Sequence, residues 1–252
     1  MRKIINRIFS DKYVNHNAVV GNSFLLVMYR FAYPFAVLLN KLHLSPNQIT
    51  TQSLAFSILA FLALVYDEGW VWFTIFWGMT VLLDFCDGTV ARMTDKVSKS
   101  AFRYDHMSDL FKITLVILGI GLRYDNDLVW GVIFITSFVF LYSDILNYQL
   151  EYASRKNVIR SEPIIAIGDQ VSKRVRLRDR FRIAAWISKY DILVKALVNV
   201  YSALLTVNGH TLLVFLLVPL SREYALYACL YFIFVSVLAI RSNITVLIKM
   251  PR

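Results

Sequence analysis

Cysteine is almost missing from this chain. Cys86 and Cys229 are far apart, each in an apolar context, which excludes a disulfide framework and a thiolate metal set and leaves two small buried thiols. Histidine is scarce too, with no pair spaced for a zinc site. Met1–Tyr13 lacks the short apolar run of a cleavable signal, so it is expected to stay in the mature protein. Internal repeats and low-complexity stretches are absent, and the chain is read as one domain spanning 1–252. Acidic residues are the minority, 17 against 27 Lys and Arg, for a net charge of +10. The basic residues fall between apolar runs rather than on a soluble face, which argues against nucleic acid as a partner.

What the chain does have is apolar length. Of its 252 residues 58% are hydrophobic, and its mean hydropathy is +0.55, more than an ordinary core can absorb. Apolar runs cover Leu54–Val65, Val71–Leu83, Ile113–Ile120, Val129–Tyr142, Ala196–Val207 with Leu212–Leu217, and Leu226–Ile240. With their flanks, several approach the roughly 20 residues that cross a hydrocarbon core of about 30 Å. None alternates, so a β-barrel is excluded and helices remain. The expected fold is an all-α bundle of six transmembrane helices over 46–252, preceded by a juxtamembrane segment, 1–45. In that segment Phe24–Leu39, with Arg30 and Pro34, reads as an interfacial amphipathic helix. Lys and Arg concentrate before the first span, in Arg92–Arg103, in Arg155–Arg182 and at Arg241–Arg252. The positive-inside rule therefore puts these segments and both termini in the cytoplasm. The polar interval Glu151–Tyr190 is expected to form a cytoplasmic loop with short helical pieces. Within it Lys173–Arg182 reads either as a surface helix against anionic headgroups or as a grip on an acceptor phosphate.

Against this apolar background, four acids gather where two spans meet the cytoplasm. Asp84 and Asp87 are three apart at the end of the second span, and Asp105 and Asp109 four apart at the start of the third, so each pair shares a helix face. Acids there need a cation, and two such pairs make a cup of hard oxygens suited to Mg²⁺ or Mn²⁺. Gly88 and Ala91 leave room for close approach, and Arg92 offers a forked cation to phosphate oxygens. This combination points to a nucleoside diphosphate ester. His106 reads as a partner to a neighbouring carboxylate, with contact to donor or acceptor as the alternative. Asp144 and Asn147, near the cytoplasmic end of the fourth span, read as an acceptor pocket or an interhelical hydrogen bond, with Arg155 and Arg241 as further acceptor contacts. Asn208-Gly209-His210 is read as a kink or a non-cytoplasmic loop.

The run Asp84-Phe85-Cys86-Asp87-Gly88-Thr89-Val90-Ala91-Arg92, followed by Ala101-Phe102-Arg103-Tyr104-Asp105-His106-Met107-Ser108-Asp109, resembles the CDP-alcohol phosphotransferase signature D-x-x-D-G-x-x-A-R-x8-G-x-x-x-D-x-x-x-D. The one departure is Ala101, where the family has its second glycine. Ser45-Pro46-Asn47-Gln48-Ile49-Thr50 is similar to the P-N-x-x-T that precedes the first span in the family. Read locally, the same segment is a helix cap with proline in the first turn. The resemblance implies two divalent ions on Asp84, Asp87 and Asp105, with Asp109 at the metal site and acting as the catalytic base. It implies donor contacts at Asn47, Thr50, Asp84, Gly88, Ala91, Arg92 and Ala101. The implied protein is a homodimer in a bacterial inner membrane, with its site facing the cytoplasm. The implied reaction moves a phosphatidyl group from CDP-diacylglycerol to a small alcohol and releases CMP. The alternative is transfer from a soluble CDP-alcohol to a lipid hydroxyl, as the sequence Asp105-His106 suggests by similarity to choline and ethanolamine phosphotransferases. Leu110 stands where glycerophosphate-type members place lysine, which lowers that acceptor. A divalent-cation transporter would want its acids near the bilayer midplane, along a path.

Overall fold

A computed structural model describes residues 13–14, 23–66, 70–95, 99–160 and 213–249, and everything regular in them is helical. In chain order these are α1 (Ser23–Lys41), α2 (Pro46–Tyr66), α3 (Val71–Met93), α4 (Lys99–Tyr124), α5 (Asp127–Arg160), a 3-10 segment (Phe215–Leu220) and α6 (Arg222–Lys249).

The turn between α1 and α2 sets the entry to the site. His43 takes a left-handed conformation, φ 58°. The Leu44 amide donates to the Leu39 carbonyl and the His43 amide to the Asn40 carbonyl, the paired bonds of a Schellman ending. Ser45 then starts α2. Its amide donates to Gln48 Oε1 at 2.8 Å while the Gln48 amide reaches back to Ser45 Oγ at 3.4 Å, with Pro46 in the first helical position. The local reading of this segment as a cap therefore holds.

Helix α2 packs along both α3 and α4. Ser53 Oγ donates to the Thr80 carbonyl at 3.0 Å, so hydroxyls on facing helices satisfy backbone oxygens that lipid cannot. Gly119 on α4 lets α2 come close: a Cβ there would stand 2.8 Å from a Leu64 methyl. On α1, Ala32 and Ala36 are buried while Val27, Phe31 and Leu38 are exposed. The small side packs on α3, where Tyr29 meets Phe85 edge-on at 5.1 Å.

At the opposite end, side chains tie down irregular backbone. Arg123 donates to the Leu64 carbonyl at 2.9 Å, closing α2, and to the Pro219 carbonyl at 3.4 Å. Tyr124 and Thr74 hydroxyls reach the Val218 and Leu216 carbonyls. Carbonyls of a 3-10 segment interrupted by Pro219 have few intrahelical donors, and these side chains replace them.

Among the described residues, four helices are long and apolar enough to cross a membrane: Pro46–Tyr66, Val71–Met93, Asp127–Leu150 and Arg222–Ile248. The expected third span is present as α4, 26 residues long. No long stretch of it escapes Asp105, Asp109, Lys112 and Arg123, so the charges that build the site break its apolar run. The first part of the expected fifth run, Ala196–Val207, lies outside the described residues, as do Asn208-Gly209-His210 and Lys173–Arg182. The end of that run, Phe215–Leu217, falls in the 3-10 segment. The expected loop from Glu151 is helical as far as Arg160, because 151–160 contains neither glycine nor proline to stop the helix.

Candidate metal and nucleotide site

The last turns of α3 and the first turns of α4 bring the acids together. One carboxylate oxygen from each of Asp84, Asp105 and Asp109 lies within 4.8 Å of the others, a group able to hold a metal ion. Asp105 Oδ1 is buried and has no hydrogen-bond partner, which leaves a hard oxygen in want of a cation. The residues present thus fit a divalent ion.

Asp87 sits beside Asp105 but is held differently. It is 4% exposed, and Thr50 Oγ1 lies 2.7 Å from its Oδ2 and 3.1 Å from the Pro46 carbonyl. A hydroxyl has one proton, and the carboxylate is the stronger acceptor. The P-N-x-x-T segment and the aspartate motif are therefore joined through Thr50 and Asp87. Asn47 is exposed one turn earlier, its carbonyl accepting from Thr51 Oγ1 at 2.8 Å. With that proton committed, Tyr104 donates to Thr51 Oγ1, also at 2.8 Å. Tyr104 escaped the sequence reading although it precedes Asp105.

Arg92 is positioned from three sides. Its Nε donates to the Tyr13 carbonyl at 2.6 Å, its Nη2 lies 3.4 Å from Thr89 Oγ1, and its guanidinium stands 5.2 Å from the Tyr29 ring centre. A Cβ at Gly88 would stand 3.3 Å from Arg92 Nη1. The smallness of Gly88 thus makes room for the arginine. Ala91 is half-buried on the same helix, and Ala101 lies in the first turn of α4.

The second residue missed by sequence is Lys112. It is 2% exposed, and its Nζ lies 2.6 Å from Asp84 Oδ1 and 3.0 Å from Asp109 Oδ1. The available signal was a lysine inside an apolar stretch, three residues past an essential-looking acid.

The expected acceptor residues are only partly gathered. His106 Nε2 lies 3.1 Å from Asp144 Oδ1 on α5, so the carboxylate partner of His106 comes from the next helix. Asn147 Oδ1 accepts from Asn243 Nδ2 on α6, which is the interhelical bond considered from sequence. Arg241 is exposed, and Arg155 lies on the last part of α5.

No curated protein matches the chain. Residues 43–164, running from the turn before α2 to just past α5 and holding all four aspartates, match the family model described as CDP-alcohol phosphatidyltransferase.

Proposed function

We propose that this protein transfers a phosphatidyl group from CDP-diacylglycerol to a small alcohol, with release of CMP and with Mg²⁺ or Mn²⁺ bound at the aspartates. The observation that carries this reading is the cluster of Asp84, Asp105 and Asp109 with its unpartnered Asp105 oxygen, at the shared end of two helices. A lipid-linked donor suits a site at the edge of apolar helices, where acyl chains stay in the bilayer and the nucleotide reaches the acids.

When bound, two divalent ions neutralise a pyrophosphate and polarise the attacked phosphorus. Asp84, Asp87 and Asp105 would hold them, together with Asp109. Arg92 offers Nη1 to phosphate oxygens, since its Nε donates to the Tyr13 carbonyl and its Nη2 to Thr89 Oγ1. Thr50 holds Asp87 in place. Asp109, with 41% of its side chain exposed against 20% for Asp84, is the acid an incoming alcohol reaches, and it takes the hydroxyl proton. The alcohol oxygen then bonds to the phosphorus nearer the lipid, and the bond to the CMP phosphate breaks. Basic segments at this end of the bundle support a cytoplasmic site, and the likeness to compact bacterial members supports a bacterial inner membrane. A homodimer follows from the family likeness.

The test is CMP release by purified protein in detergent with Mg²⁺ or Mn²⁺. CDP-diacylglycerol is offered against CDP-choline and CDP-ethanolamine, each with a panel of alcohols. Metal-dependent release from CDP-diacylglycerol is expected, and the stimulating alcohol names the acceptor. Release only from a soluble CDP-alcohol would reverse donor and acceptor.

A further inference from the structure

Lys112 has no place in the residues matched to the family motif, yet it is the most deeply buried charge in the site. It projects from α4 one turn beyond Asp109, and Ile113 and Val116 that follow it on the helix are buried as well. Two of its three protons are directed at Asp84 Oδ1 and Asp109 Oδ1, acids on different helices. Moving the ammonium off those oxygens would leave a buried charge unpaired, at a cost far above that of keeping it. The same two acids, crowded within a cluster that includes Asp105, repel one another without a cation between them.

We propose that Lys112 is a positioning residue: a resident cation that holds Asp84 and Asp109 together when no metal is bound and takes one oxygen from each. The other oxygen of each acid is left to a divalent ion. The inference rests on the metal reading given above. It also gives the site a property of its own, because the bundle keeps α3 and α4 joined at the cup before metal arrives. Positive charge held so close opposes an incoming cation, so the preassembly weakens metal attraction.

The experiment compares the intact protein in detergent with its Lys112→Met variant, which keeps length and removes charge. Thermal unfolding is followed with and without saturating Mn²⁺, and Mn²⁺ binding is measured by electron paramagnetic resonance. Without metal, the midpoint of the variant is expected to fall by about 10 °C, as removal of one member of a buried ion pair implies. Mn²⁺ is expected to restore most of that fall and to bind about tenfold more tightly than to the wild type. An unchanged metal-free midpoint, or a fall that Mn²⁺ does not repair, overturns the proposal, the second outcome marking Lys112 as packing only. Should Lys112→Met not fold, the double variant Asp84→Asn with Lys112→Met carries the test. Removing one acid's charge should return a folded protein without metal, and a double variant that fails equally overturns the proposal. Wild type that binds no Mn²⁺ defeats the metal reading and this inference with it. Wild type that binds Mn²⁺ beside a Lys112→Met variant with the same metal-free stability and affinity defeats only the role of Lys112.

Discussion

At the scale of single residues, the four aspartates stand in unequal surroundings. Asp87 is buried and tied to Thr50, Asp105 keeps one buried oxygen free, and Asp109 stands open beside Lys112. Asp109→Asn keeps the size of the side chain and an oxygen for Lys112 but cannot accept a proton. Metal-dependent CMP release by this variant should fall by about a thousandfold, the contribution of a positioned base. Binding of a non-reacting CDP-diacylglycerol analogue should change much less. Turnover at the wild-type rate would remove Asp109 from the role of base. The gathering of Asp84, Asp105 and Asp109 was legible because the spacing puts each pair of acids on one helix face. Lys112 and Tyr104 were not, because each owes its place to a partner on another helix, 28 residues away for Lys112 and 53 for Tyr104. His106 shows the same limit: an acid beside it in sequence was the natural partner, and helix register supplied Asp144 instead.

At the scale of elements, the turn Lys41–Ser45 links capping physics to the site. It fixes where α2 begins, and α2 carries Thr50 to Asp87 one turn later. The left-handed residue there is His43, exposed and bearing a Cβ, where a glycine would sit without strain. His43→Gly should raise the thermal midpoint by about 2–4 °C, the equivalent of about 1 kcal/mol released from the backbone. His43→Ala, which keeps the Cβ, should leave the midpoint where it is. Equal midpoints for the glycine and alanine variants would show that no strain is stored at this turn. Proline and glutamine at their places in Ser45-Pro46-Asn47-Gln48 made the start of α2 readable in advance. The length of α5 was not readable in the same way, since polar residues at 151–160 suggest a loop by composition while nothing among them breaks a helix.

At the scale of the whole molecule, the two ends of the bundle differ in chemistry. The end with the aspartates is where α2 starts, α3 finishes and α4 starts; the other end holds the Arg123 clamp, the Asp125-Asn126 turn and the 3-10 segment. Hydrophobic runs made the helices legible from sequence, but α4 was only half visible as a span because Asp105, Asp109 and Lys112 occupy its first half. The proposed cytoplasmic site is supported by charge: Lys41, Arg92 and Arg103 lie at the aspartate end, against Arg123 and Arg222 at the other, an excess that the positive-inside rule favours on the cytoplasmic side. Both native cysteines are buried, so an introduced exposed cysteine reports its own side of the membrane. In intact cells a membrane-impermeant maleimide should label Asp127→Cys, at the start of α5. Lys41→Cys, at the end of α1, should be labelled only after permeabilisation, although both positions are exposed in the fold. The reverse pattern would turn the site outward. It would then separate the aspartates from cytosolic nucleotide and require the CDP-linked donor to be delivered from the other face of the bilayer.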